Sequence, residues 1–134
     1  MMKFCSLYSG SNGNSIFISD FGSRILVDAG LSGKLIDNLL FEIDEKPESL
    51  NGILVTHEHL DHIIGAGVLS RRYNLPIYAN KLTWDGMKKN IGNIDEKNIR
   101  FFENNKEFCI GDIIIKAFPI SHDANDPVGF RLKV

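Results

Sequence analysis

At 134 residues, 43% hydrophobic and 24% charged, the chain has ordinary globular usage, which excludes a collagen-like, low-complexity or disordered protein and leaves room for one filled core. Its formal net charge of -2 gives no sign of the basic stripe that marks many nucleic-acid binders, although a bound metal could supply local positive charge to a polyanionic substrate. No apolar run approaches the roughly 18 residues of a membrane span and no apolar signal segment follows Met1-Met2-Lys3, so a cytoplasmic protein without membrane contact is expected.

In chain order, short apolar or alternating runs predict strands over residues 3–8, 15–19 and 23–28, the last two joined by a hairpin at Asp20-Phe21-Gly22. Ser32 is a candidate N-cap, and Leu35, Ile36, Leu39, Leu40 and Ile43 follow at helical spacing, an apolar stripe to lay on a sheet. Residues 52–56 form an almost wholly apolar strand of the kind buried on both faces. A helix over 66–73, a strand over 76–79 and a helix over 81–90 come next. Strands return at 99–103, 107–110 and 113–118, the last two hinged on Gly111-Asp112, and another runs over 129–134. There is no repeat or linker, so residues 1–134 read as a single domain of mixed α/β layers. Cys5 and Cys109 lie too far apart in sequence for a metal or redox pair and are expected as buried structural thiols.

The chemistry concentrates after the 52–56 strand. Three of the four histidines in the chain fall within His57-Glu58-His59-Leu60-Asp61-His62. In an extended segment alternate side chains share a face, so His57 and His59 can converge on one ion while Asp61 and His62 reach a second. Imidazole nitrogen and carboxylate oxygen are ordinary zinc ligands, and a strand end is where a sheet can hold such a loop in register. The alternative of a solvated loop with surface histidines leaves the crowding unexplained. A zinc-protease helix is excluded, because Asp61 stands where His-Glu-x-x-His needs its second histidine.

His122, directly after the 113–118 strand, is the remaining histidine. A first ion held by His57 and His59 needs a third protein ligand if it is to keep one position open for water, and His122 is the candidate. Asp28 ends the strand Leu26-Val27-Asp28-Ala29-Gly30. It could be a ligand, a base or an acceptor that fixes the histidine loop, and the supporting role fits best because metal ligands are usually oriented by an outer layer of hydrogen bonds. The run from Ser9 to Asn14, with Ser11 and Asn14 as its candidate residues, lacks Gly-Lys-Ser/Thr and is not followed by a helix, so it is not a phosphate loop. Turn chemistry or a substrate-facing loop both remain open for it.

Leu26-Val27-Asp28-Ala29-Gly30, Thr56-His57-Glu58-His59-Leu60-Asp61-His62 and Ser121-His122-Asp123 together resemble the metallo-β-lactamase fold superfamily. Ser9-Gly10-Ser11-Asn12-Gly13-Asn14, Leu31-Ser32-Gly33-Lys34 and Val68-Leu69-Ser70-Arg71-Arg72-Tyr73 are more narrowly similar to the YycJ/WalJ group of bacterial metallohydrolases. The resemblance spans essentially the whole chain. It implies an αββα sandwich, of which this chain would supply the first half and lack the bridging aspartate and last histidine of the second. It also implies DNA exonuclease activity on two divalent metal ions, zinc or manganese. His57, His59 and His122 would hold one, Asp61 and His62 the other, with Asp61 orienting the nucleophile and Asp28 a structural residue behind them. His59 separates the chain from diiron oxidoreductases of the same fold, which carry glutamate at that place. A thioesterase or lactamase acting on a small molecule, or a non-catalytic truncated interaction module, are the rival functions, because one fold hosts many chemistries. The half sandwich is expected to leave a large apolar surface exposed.

Overall fold

The computed structural model describes residues 2–133. Two sheets face one another. Strands β1 (Met2–Tyr8), β2 (Ser15–Asp20), β3 (Ser23–Val27), β4 (Gly52–Leu54), β5 (Ile77–Ala79) and β6 (Ile99–Phe101) form a six-stranded sheet in that order, antiparallel from β1 to β3 and parallel from β3 to β6. Strands β7 (Glu107–Ile110), β8 (Ile113–Pro119) and β9 (Val128–Lys133) form an antiparallel three-stranded sheet. Each parallel connection in the first sheet runs through helix, since parallel strands cannot be joined by a tight turn. These helices are α1 (Gly33–Glu42), the pair α2 (Leu60–Ile63) and α3 (Ala66–Tyr73), and α4 (Lys81–Ile91).

The period-two alternation of strands decides which layer each residue joins. Phe17, Leu26, Ile53 and Ile77 stand in one row across β2 to β5. They pack with Ile36 and Leu40 of α1, Leu69 of α3, and Trp84, Met87 and Ile91 of α4. Their sequence neighbours Ile18, Ile25 and Leu54 point the other way, onto Ile110, Ile113 and Ile115 of the second sheet. Each such fully buried side chain contributes roughly 1.5–3 kcal/mol. The layer order is therefore helices, mixed sheet, antiparallel sheet.

The β2–β3 hairpin turns through Phe21 and Gly22 with Asp20 opposite Ser23, Phe21 taking φ 51°. At the β7–β8 reversal Gly111 takes φ 57°, a conformation natural to glycine, and Asp112 donates its N–H to Ser23 Oγ at 2.8 Å. The tips of the two sheets' hairpins are thereby tied together.

Five expectations need correction. The strand expected over 52–56 is shorter, Gly52–Leu54; Val55 N–H still reaches Tyr78 O at 2.9 Å, and at Thr56 the N–H turns to the Asp28 carboxylate. Leu35 is exposed, and the stripe of α1 centres on Ile36 and Leu40. Cys5 is half-buried and Cys109 exposed, so neither is a core thiol; Cys109 falls on the outer side of β7. That outer face is also not broadly apolar. Glu107, Lys116 and Arg131 stand in register across it, and Lys133 pairs with Glu107 at 2.9 Å. The strand expected over 129–134 begins at Val128, and Val134 lies outside the described residues. Among the described residues no helix is long and apolar enough to cross a membrane.

Candidate metal centre

The site lies at the C-terminal ends of β3 and β4, where the parallel strands deliver Asp28 and the segment beginning at Thr56. Asp28 follows β3 with φ 65°, a left-handed backbone that costs most residues energy and that aspartate tolerates better than most. The carboxylate is buried and saturated with donors. Oδ1 accepts Thr56 N–H at 2.8 Å, while Oδ2 accepts Thr56 Oγ1–H at 2.7 Å and His62 Nδ1–H at 2.6 Å. Its backbone carbonyl accepts the Ser15 hydroxyl at 2.8 Å. Burial pushes the Asp28 carboxyl up, against the opposing pull of His62 and the two Thr56 hydrogen bonds.

Thr56 relays this anchor to His57. With its hydroxyl hydrogen given to Asp28, its oxygen accepts from His57 Nδ1 at 2.8 Å. That fixes the tautomer, protonating Nδ1 and leaving the lone pair on Nε2. His57 Nε2 is buried and has no hydrogen-bond partner. Burial, and next the nearby His62, His59 and His122, lower the His57 pKa to about 4. The ring is therefore neutral at ordinary pH, as a metal ligand must be.

His57, His59 and His122 offer ligand atoms that all lie within 4.8 Å of one another. Their ring centroids are 4.7 Å (His57–His59), 4.6 Å (His57–His122) and 5.1 Å (His59–His122) apart. Three imidazoles with one buried, unpaired nitrogen fit a metal ion and no protein-only arrangement equally well, because a buried acceptor without a partner costs stability unless something fills the place.

The histidine cluster is not extended throughout. It breaks at His59, which N-caps the short helix α2, so Asp61 and His62 are presented from a helical turn. The result is a second pair, with His62 Nε2 3.5 Å from Asp61 Oδ2. Burial lowers the His62 pKa, but the hydrogen bond and charge of Asp28, with Asp61, outweigh it and the net direction is up. The His62 ring lies 4.1 Å from that of His57, centroid to centroid, so the pair adjoins the trio.

The loop before β2 reaches this pair through Asn14. Its Nδ2 lies 3.2 Å from Asp61 Oδ2, from Asp61 O and from His62 Nε2, and donates to Gly10 O at 2.9 Å. Ser11 is exposed on the same loop. Gly30 permits the closest approach in the site, since a Cβ there would lie 1.7 Å from the Asp61 carbonyl oxygen. Backbone bonds from Ala29 N–H to His62 O at 2.9 Å and Gly65 N–H to Ala29 O at 2.8 Å hold α2 against this segment.

An open cleft lined by Thr56, His57, His62, Ile120, His122 and Val128 gives access. Thr56 was not singled out in the sequence; its signal is a hydroxyl at a strand end, directly before a histidine cluster. Neither Asp123 nor Asp126 joins the pair: Asp123 is exposed, and Asp126 is occupied by Asn104 at 3.1 and 3.2 Å.

This layering of helices and sheets, with histidines gathered at strand ends, defines an α/β sandwich with a candidate metal centre at its strand ends. Residues 8–132 match the metallo-beta-lactamase superfamily, and the chain belongs to that superfamily. It is 49% identical over 131 residues to an exodeoxyribonuclease WalJ of Streptococcus pneumoniae, covering 96% of this chain and 49% of that protein. It is 46% identical over 129 residues to an exodeoxyribonuclease YycJ of Bacillus anthracis, covering 95% and 48%. The chain thus spans about half the length of these curated relatives. Among solved structures, the MIM-2 metallo-beta-lactamase superposes with TM-score 0.79 at 12% identity over 98% of this chain and 53% of that one, a likeness of fold.

Proposed function

We propose that the chain carries the histidine-rich part of a metal-dependent phosphodiesterase that degrades DNA from its ends, within a single cytoplasmic domain. The observation that carries the metal reading is His57 Nε2, buried and unpaired with its lone pair fixed by Thr56, in a ring whose ligand atom lies within 4.8 Å of those of His59 and His122. The names of the relatives in Streptococcus pneumoniae and Bacillus anthracis support the nucleic-acid substrate.

We assign His57, His59 and His122 to one divalent ion and Asp61 and His62 to a second, with zinc favoured by the nitrogen-rich donor set and manganese the alternative. Bound there, divalent metal supplies a Lewis acid that makes water a competent nucleophile near neutral pH. The chain's own residues do the rest. Asp28 and Thr56 hold His57 and His62 in the required tautomers. Asp61 orients the attacking water. Asn14 Nδ2, 3.2 Å from Asp61 Oδ2, sets the carboxylate's rotation and brings its loop to the mouth of the site.

In the natural protein that carries this sequence, supplied zinc or manganese should support exonucleolytic loss of end-labelled DNA, and Asp61→Asn should suppress it with the fold intact. Turnover of a thioester or lactam with none of DNA would replace this reading by the small-molecule hydrolase. Residues 1–134 alone should bind one metal well and turn nothing over, because Asp61 and His62 by themselves are too few ligands for a firm second site.

A further inference from the structure

The loop over residues 120–127 joins β8 to β9 and carries His122. Its own backbone bonds are few, Ile120 N–H to Pro127 O at 3.1 Å and Ala124 N–H to His122 O at 3.0 Å. At its end Val128 N–H reaches Thr56 O at 3.0 Å, and the rest of its hold on the first half of the site comes from side chains outside the ligand group. Glu58, between His57 and His59, turns toward α4, and its Oε2 accepts the Asn125 N–H at 2.9 Å. Asn125 Nδ2 donates in turn to Leu82 O of α4 at 3.0 Å. On the other side Asn104 Nδ2 holds the Asp126 carboxylate, and Asn80, the N-cap of α4, donates to Asp126 O at 2.9 Å.

The Glu58 arm fits into a notch. A Cβ on Gly86 would lie 2.7 Å from both Asn125 Nδ2 and Glu58 Cγ, so the helix leaves this space only because position 86 has no side chain. Glycine inside a helix costs stability relative to alanine, and here it makes room for the clamp. Glu58 Oε1 is buried without a hydrogen-bond partner. A buried acceptor left unpaired is unfavourable for folding. The carboxylate is thus held where the loop needs it, at some expense to its own solvation.

We propose that Glu58 is a positioning residue: its carboxylate locks the 120–127 loop to the 57–59 loop and sets the spacing at which His122 meets His57 and His59. Its effect on metal affinity rests on the metal reading above, whereas its effect on loop order does not. The residue acts through Asn125 and touches no substrate.

Three variants test this. Glu58→Ala removes the acceptor, Glu58→Gln keeps an oxygen for the Asn125 N–H, and Gly86→Ala crowds the clamp while adding a better helix former. Two quantities are read: amide hydrogen exchange at Asn125 in metal-free protein, and zinc affinity by chelator competition. Glu58→Ala and Gly86→Ala should speed Asn125 exchange and weaken zinc about tenfold or more, the scale seen when a ligand loses its orienting partner. Glu58→Gln should stay close to the parent in both. If Glu58→Ala proves unfolded, Gly86→Ala carries the test. Parent-like zinc affinity and Asn125 exchange in Glu58→Ala would overturn the proposal, as would equal losses in Glu58→Gln. If the parent itself takes up no zinc, the metal reading fails, and Asn125 exchange alone decides the clamp.

Discussion

The two halves of the site are built by different means. His57, His59 and His62 sit on segments leaving β4 and entering α2, where ladder and helix hydrogen bonds and the buried Asp28 carboxylate fix them. His122 rides an exposed loop of the second sheet, tied down by the side chains of Glu58, Asn80 and Asn104. The first half is thus a consequence of the fold, and the second depends on a few polar contacts between the two halves of the site. Stability and ligand geometry should therefore be coupled in the first half and separable in the second.

The largest expected difference is between two alanine substitutions. His57→Ala removes a buried ring and should abolish tight metal binding while also lowering the urea midpoint, since emptying a packed site typically costs a few kcal/mol, about 2–5. His122→Ala removes an exposed ring and should weaken metal by a comparable factor with the midpoint of the metal-free protein unchanged. Equal losses of stability in both, measured by urea titration with chelator present, would erase the distinction between the halves.

A smaller effect is expected one layer out. Asp28→Ala leaves Thr56 and His62 without their shared acceptor, so metal affinity should fall about 10–100-fold. Stability should fall too, because breaking a buried charged pair by removing one partner is destabilising, by about 3–5 kcal/mol for a fully buried pair and less here. Isothermal titration with zinc, paired with thermal denaturation of the metal-free variant, separates the two losses. A variant that kept parental zinc affinity would show that Asp28 serves folding alone.

The smallest effect is on pH. In metal-free protein His57 is depressed to about 4 from an ordinary 6.5. Between those values the unfolded chain binds the extra proton, so stability falls as pH drops through that window. His62 is raised above 6.5. Its contribution is fully present below 6.5 and is lost as pH rises through its folded value. Asp28, raised above 3.8 by burial, adds on the acid side a slope opposite to that of His57, so each histidine is read as the difference between the parent's denaturant titrations and those of its variant. His57→Gln should flatten the acid side, and His62→Gln the alkaline side. A profile unaffected by either substitution would mean that the rings are not held as described.

Much of this was legible in local pattern. The helix expected over 66–73 is α3 (Ala66–Tyr73), because its periodicity and its end at Asn74 are both local signals. The hairpin at Phe21-Gly22 and the reversal at Gly111 are local too. The convergence of His57, His59 and His122 could be anticipated because each follows an apolar strand and a third ligand was wanted. Hidden from the sequence were contacts between distant residues. Glu58 and Asn125 are separated by 67 positions, and no periodicity reports that one will accept from the other. The break of the cluster into α2 was also missed, since a four-residue helix is too short to show a helical repeat. Cys109 was misplaced because strand alternation tells which residues share a face, and not which face is covered.

Gly30 has a wider consequence. Its α-hydrogen occupies the place where any side chain would strike the Asp61 carbonyl. The glycine two positions after Asp28 is therefore a measure of how near α2 comes to the end of β3. A larger residue at that position would force the turn carrying Asp61 and His62 away from the end of β3. Asp28-Ala29-Gly30 thus acts as a spacer whose last residue sets how closely the turn carrying Asp61 and His62 can approach the buried carboxylate.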